Sequence, residues 1–222
     1  MKLVHPDWNR QIVFRENRVQ VVCIENARYF SRIVEDLVRQ RQTGTGPFVL
    51  SDGNEIYDLS KTAELILSPF LLDFENKKIQ STILKRLQQI ANDEEFHESQ
   101  EIRRLILQYL NRLTDRLDVD VSTSPEIDIL QVIKLANVRP SFDEDSLETR
   151  LLDYFSLLKD VLETKLIVAV NLRSFFASES LKTFYETLLL KKTPLLLLEN
   201  FAKYGKIACE DWLTVDEDLC EI

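Results

Sequence analysis

The sequence predicts an α/β protein, a sheet-based body from which a two-helix arm departs. Three observations carry that prediction. Apolar runs of strand length, at 19–25, 165–170 and 194–198, alternate with amphipathic segments of helix length. The stretch 76–117 holds neither glycine nor proline and repeats apolar residues at helical spacing. Between Asn54 and Tyr204 there is no glycine, and the whole chain has only four: Gly44, Gly46, Gly53 and Gly205. A loop that wraps a phosphate needs residues able to take positive φ and close their N–H groups on the ligand. A P-loop, a dinucleotide fingerprint or a nucleophile elbow would each need glycines that the long middle does not have. That middle reads as scaffold and surface.

In order along the chain, 11–14 and 19–25 read as short strands, the second rich in valine and isoleucine. Asn26 then supplies an N-cap for a helix running to about Gln42, with Phe30, Ile33, Val34, Leu37 and Val38 on its apolar face. On its outer face Arg32 with Asp36, and Glu35 with Arg39, are expected to pair one turn apart. The Thr-Gly-Thr-Gly-Pro run at 43–47 ends it. Strands are expected at 48–51 and 63–67, with a turn at 52–54 between them.

The arm follows. Ile79, Ile83, Leu87 and Ile90 form one stripe, and Ile102, Ile106, Tyr109, Leu113 and Leu117 another. Such spacing suits antiparallel helices meeting along a narrow seam, with the turn at 92–95. Helices at 125–136 and 146–162, a strand at 165–170, a helix at 178–190 and a strand at 194–198 come next. The last three elements form a βαβ unit with parallel strands. The tail at 206–215 reads as an edge hairpin.

A chain of 222 residues, 45% of them hydrophobic, is long enough to bury a sizeable core. Its longest apolar runs fall far short of the ~20 residues that span a bilayer, and residues 1–10 lack an apolar signal core, so the expected location is cytoplasmic. Three cysteines without short spacing and two histidines, His5 and His97, cannot make an ordinary zinc site. Cys23 reads as a small core residue. A net charge of −9 argues against a generally basic surface, yet leaves room for a local basic one. Much of the acidity lies elsewhere, at 143–145 and in the tail at 216–218 with Glu221.

Four segments invite chemistry. Ser60-Lys61-Thr62 resembles the end of a Walker loop but lacks both preceding glycines. The segment 97–101 misses the zinc-protease helix, having Glu101 where the second histidine belongs. Asp118, Asp120, Glu126 and Asp128 cluster at a helix junction, where hard oxygen donors suit calcium. The plain reading is that Ser124, Pro125, Glu126 and Asp128 start a helix at its positive end. Arg104, Gln108, Arg112 and Arg116, four apart, form a drifting stripe, joined on the preceding helix by Lys77, Lys78, Lys85 and Arg86. Cations in such a row bind a phosphate backbone without reading bases. Interleaved with Glu98, Glu101 and Asp115, they also make an ordinary solvated face.

Residues 21–38 (VVCIENARYFSRIVEDLV), 48–52 ahead of the arm, and 165–171 with 194–200 (KLIVAVN and PLLLLEN) carry a resemblance in order and spacing over essentially the full length. The chain resembles the small CRISPR-associated adaptation protein of type II-A systems, the partner of the integrase proteins and the effector nuclease. The stretch 62–79, with Pro69 and Asp73-Phe74-Glu75-Asn76, looks like a divergent branch.

That resemblance implies an α/β head domain, 1–75 with 126–222, whose mixed, partly parallel sheet is related to P-loop NTPases without the phosphate loop. It implies an inserted helical leg domain, 76–125, and a ring-shaped homotetramer threaded by double-stranded DNA from its ends. Calcium is the expected ion, with no nucleotide and no enzymatic activity. The role is CRISPR spacer acquisition in antiviral defence, beside other adaptation proteins and the effector nuclease, away from membranes. Carried onto this sequence, the calcium carboxylates fall at Asp118, Asp120, Glu126 and Asp128, and a further ligand position falls on Val132. The DNA-binding residues fall at Lys77, Lys78, Lys85, Arg104, Arg112 and Arg116. The alternatives are a P-loop-like nucleotide-binding ATPase centred on 60–62, and an adaptor that docks partners through the arm.

Overall fold

The structure is a computed structural model that describes residues 1–122, 124, 126–142, 146–202 and 205–222. Pro125 and the acidic run at 143–145 lie outside the described residues. The chain divides into two compact units, Met1–Asp73 with Phe142–Ile222, and Phe74–Ser141.

Along the chain, strands β1 (Lys2–Val4), β2 (Ile12–Val13) and β3 (Val19–Ile24) lead into helix α1 (Ala27–Thr43). Asn26 caps α1 by accepting the Tyr29 N–H at 3.0 Å, and Gly44 ends it in the left-handed conformation with φ 78°. The helix then clamps its own exit. The buried Gln40 amide accepts from Phe48 N at 2.9 Å and donates to Phe48 O at 2.7 Å. A Cβ on Gly46 would meet that Gln40 side chain at 2.5 Å, so the turn needs glycine there. Strands β4 (Val49–Asp52) and β5 (Glu55–Tyr57), the one-turn helix α2 (Leu59–Thr62) and strand β6 (Ala63–Ile66) follow. Helices α3 (Lys77–Asn92), α4 (Phe96–Thr114) and α5 (Ile129–Leu135) belong to the second unit. The chain then returns through α6 (Leu147–Leu162), β7 (Leu166–Val170), a 3₁₀ turn (Leu172–Phe175), α7 (Ser178–Leu190), β8 (Leu195–Glu199) and β9 (Glu210–Val215).

Among the described residues the first unit carries two sheets. The larger is parallel throughout, in the order β6-β7-β8-β3-β9; the smaller is antiparallel, in the order β2-β1-β4-β5. All residues of β3, β7 and β8 are buried, as a parallel sheet covered on both faces requires. Val22, Ile24, Val168, Leu196 and Leu198 share one core with Ile33 and Leu37 of α1 and with Leu3 and Leu50 of the small sheet. The opposite face carries Glu210, which takes the Tyr185 hydroxyl, so α7 lies there. α6 packs on α7 through Phe155 and Phe184, ring centroids 5.9 Å apart. Burial of each such side chain contributes roughly 1.5–3 kcal/mol.

In the second unit α3 packs against both α4 and α5, around the fully buried Ile79 and the buried Phe74 and Ile129. Buried Ser99 donates its hydroxyl to Ala91 O at 2.7 Å, tying α4 to the end of α3. Arg103 donates to Ile127 O at 3.1 Å and to Asn92 Oδ1 at 3.3 Å, tying α4 to the segment before α5. No helix among the described residues is long and apolar enough to cross a membrane.

The mixed α/β character and the parallel pairing of β7 with β8 match the sequence reading. Several details differ. The tail hairpin expected at 206–215 lies differently: β9 pairs parallel with β3 from Val19–Glu210 to Ile24–Val215, and the chain turns back only after Val215, which bridges Glu221 antiparallel. Strands β1 and β5 were not anticipated. Arg32 pairs with Asp7 rather than Asp36, and Asp36 takes Arg39, because the β1–β2 connection brings Asp7 over α1. The helix expected from 125 begins at Ile129, where Asp128 supplies the cap. Left-handed backbone occurs without glycine at Asn137, Glu163, Asn171, Lys192 and Leu219, with φ of 49, 55, 53, 50 and 65°.

Candidate nucleic-acid interface

In open α/β sheets ligands sit beyond the carboxyl ends of the strands, where the connections change direction. Here the chain leaves β3 for distant β6 and later passes from β8 to β9 across β3, which puts that place between β8 and β3. Side chains fill it. Arg173, fully buried, gives its backbone N–H to Glu199 Oε1 at 3.1 Å and a guanidinium N–H to Gly205 O at 3.1 Å. Its Nε lies 3.5 Å from Glu210 Oε1, and its guanidinium 4.6 Å from the centre of the Trp212 ring. Glu210 also accepts from the Tyr185 hydroxyl, the Ile207 N–H and the Trp212 indole, each at 2.8 Å.

Burial pushes the Glu199 carboxyl up to about 7, against the bond from the Arg173 N–H. Burial likewise raises the Tyr185 phenol, with Glu210 adding to the effect, and lifts the Cys23 thiol to about 11. Two carboxylates near one guanidinium, with a hydroxyl, an indole and backbone groups among the bonds, form a buried charge network in which Glu199 Oε2 has no hydrogen-bond partner among the described residues.

The phosphate-binding positions are also occupied from within. Only Glu25 and Asn26 separate β3 from α1. Asn26 caps that helix with its side-chain oxygen and holds Glu217 O with its amide at 3.0 Å. The helix end where an anion would gain from the dipole is therefore already capped. Ser60, Lys61 and Thr62 form α2. Asp58 accepts the Ser60 N–H at 2.9 Å and its hydroxyl at 2.7 Å, and faces Lys61 Nζ at 3.2 Å. The Ser60 bond is the main cause holding the Asp58 carboxyl below its ordinary value. In this one-turn helix the lysine answers a carboxylate of its own turn.

The cations of the second unit are differently placed. Lys77, Lys78, Lys85, Arg104, Arg112 and Arg116 are all exposed. On α3 the three lysines lie opposite the side that buries Ile79, as the helical period dictates. On α4, Arg104 is held by Glu101, its Nε 2.8 Å from Oε2, and that bond lowers the Glu101 carboxyl. Lys77, Lys85, Arg112 and Arg116 have no carboxylate partner among the described residues. Arg103, absent from the candidate set, is half-buried and structural. Its signal was its place on the same helix face as Ser99 and Ile106. Beside the arginines runs an exposed apolar stripe of Ile102, Leu105, Tyr109 and Leu113.

The four candidate calcium ligands are exposed, and Asp128 spends an oxygen on the Leu130 N–H at 2.9 Å as the cap of α5. Their oxygen chemistry suits calcium, but among the described residues no three acidic, histidine or cysteine side chains gather as a metal-holding group. Among the described residues of one chain the four do not come together as a calcium site. Val132 sits half-buried on α5.

A family model described as CRISPR-associated protein (Cas_Csn2) matches residues 40–219, most of the chain and parts of both units. No curated protein matches the chain.

Proposed function

The chain belongs to the CRISPR-associated protein (Cas_Csn2) family, and from that premise we propose that it binds the ends of double-stranded DNA without enzymatic activity in support of spacer acquisition. In this reading it works in antiviral defence in the cytoplasm, alongside other adaptation proteins and the effector nuclease. The first unit acts as a head whose sheet is a degenerate relative of the P-loop NTPases, and the second as an inserted helical leg. Four copies close a ring around the duplex.

The observation that supports it best is the set of exposed, uncommitted cations Lys77, Lys85, Arg112 and Arg116 on a chain of net charge −9. If those four each neutralise one phosphate, log affinity falls with log salt at a slope of about −3.5. The filled crevice at Arg173 and Glu199 and the self-capped α1 favour a non-enzymatic scaffold over a nucleotide-driven one.

A ring can be threaded only from a free end. The purified protein is expected to bind a linear duplex and to ignore a closed, nick-free circle of the same sequence in a gel-shift assay, and to elute as a tetramer in sizing chromatography. Equal binding of circle and linear DNA would overturn the ring.

A further inference from the structure

A cleft of about 480 Å³ opens in the first unit at the amino ends of β7 and β8, the opposite edge of the sheet from the filled crevice. That volume lies within the ~300–1,000 Å³ usual for small-ligand sites. Phe14 and Tyr57, from the ends of β2 and β5, supply aromatic lining; Lys165 and Thr193, from the starts of β7 and β8, supply polar lining.

Most of the charges here are explained by the fold. Glu16 meets Lys192 at 3.2 Å, and Asp52 meets the Met1 amine at 3.1 Å. Lys159 donates to Lys191 O, a cation at the negative end of α7.

Two groups are not explained. The Lys165 ammonium lies 6.0 Å from the centre of the Tyr57 ring and has no carboxylate partner among the described residues. Thr193 is 5% exposed, and its buried hydroxyl has no hydrogen-bond partner among the described residues. A buried hydroxyl left unbonded is costly enough that such groups are rare in folded proteins. An uncommitted ammonium, an unmet hydroxyl and an aromatic face in one cleft suit an anionic group carried on a flat, unsaturated body. An ammonium binds phosphate as a point charge, and an aromatic ring accepts any base by stacking.

We propose that this cleft binds a 5′-phosphorylated nucleoside unit, its phosphate on Lys165 and Thr193 and its base against Tyr57. The unit is either a free mononucleotide or the terminal nucleotide of a DNA strand. The site is separate from the capped helix end and from α2, and the proposal does not depend on the ring.

Calorimetric titration with dAMP, deoxyadenosine and inorganic phosphate tests it. dAMP is expected to bind about tenfold or more tightly than either part alone. Lys165→Gln, Tyr57→Leu and the near-isosteric Thr193→Val are each expected to weaken dAMP about fivefold or more, with unfolding curves confirming that each variant is folded. A 5′-phosphorylated duplex that displaces dAMP assigns the terminal nucleotide, and a duplex that leaves dAMP in place assigns the free one. Absence of dAMP binding up to about 10 mM, or dAMP binding unchanged in all three folded variants, overturns the proposal.

Discussion

The parallel sheet of the first unit and the helices of the second treat their side chains in opposite ways. In the sheet every residue of β3, β7 and β8 is buried, and the charged residues Glu199 and Glu210, with Arg173 of the following 3₁₀ turn, meet one another inside. On α4, by contrast, Ile102, Leu105, Tyr109 and Leu113 face solvent beside uncommitted arginines. One region buries its apolar and charged side chains within a single chain. The other keeps both apolar area and charge in reserve, which is the arrangement expected of a surface that meets something else. The contrast says where substitution should damage folding and where it should damage association.

The sharpest test is Arg173→Met. Removing one member of a buried charge network leaves the others unpaired and costs about 3–5 kcal/mol, read as a lower denaturation midpoint. A neutral result would mean that Arg173 does not hold the two carboxylates as described. Next comes the combined replacement of Lys77, Lys85, Arg112 and Arg116 by Gln. Duplex affinity should drop about 100-fold at moderate salt, with the salt slope reduced by about 3.5, measured by anisotropy over a salt series. Unchanged binding would move the DNA surface off the second unit.

Glu199 gives a smaller effect with a definite sign. Its folded value of about 7 lies above the ordinary 4.5, so the folded state holds the proton more tightly than the unfolded chain. The stabilisation is complete below about pH 4.5 and is lost as the pH rises through 7. Between pH 5 and pH 8 the native chain should lose about 2 kcal/mol that Glu199→Gln retains. Parallel pH profiles for the two proteins would contradict the assignment. The smallest effect is expected on the reserve itself. Leu105→Gln and Tyr109→Gln should each change the stability of the chain by under about 0.5 kcal/mol, as surface substitutions do. A larger destabilisation of a monomer would show that stripe to be part of a core.

What the sequence disclosed followed the range of each signal. Strands β3, β7 and β8 were readable because a strand buried on both faces is a plain apolar run. Strands β1 and β5 are three residues each, and their pairings are set by the whole unit. β9 alternates polar and apolar residues like an edge hairpin, and only its register on β3 reveals a parallel strand. The α3 lysines were legible because helical phase places them opposite buried Ile79, whereas on α4 Ile102, Tyr109 and Leu113, expected to pack along a seam, are exposed. The pairing of Arg32 with Asp7 was not, because a helix-only argument sees partners three or four residues away and nothing further. The Arg173 cluster was invisible for the same reason: its members come from four elements and meet only after the sheet forms. The lone Thr193 hydroxyl and the uncommitted Lys165 are likewise properties of packing, without a trace in local pattern.

The left-handed residues at Glu163, Asn171 and Lys192 bear on how a scarcity of glycine is understood. They reverse or redirect the backbone at the borders of α6, β7 and α7; asparagine tolerates that geometry, whereas Glu163 and Lys192 ordinarily avoid it, at roughly 1 kcal/mol or more apiece. Tight corners are therefore plentiful in a region that has no glycine, and each keeps a polar or charged group at its apex. A census of glycines in such a polypeptide gauges its capacity to cradle phosphate with main-chain amides, and says little about how often the backbone bends.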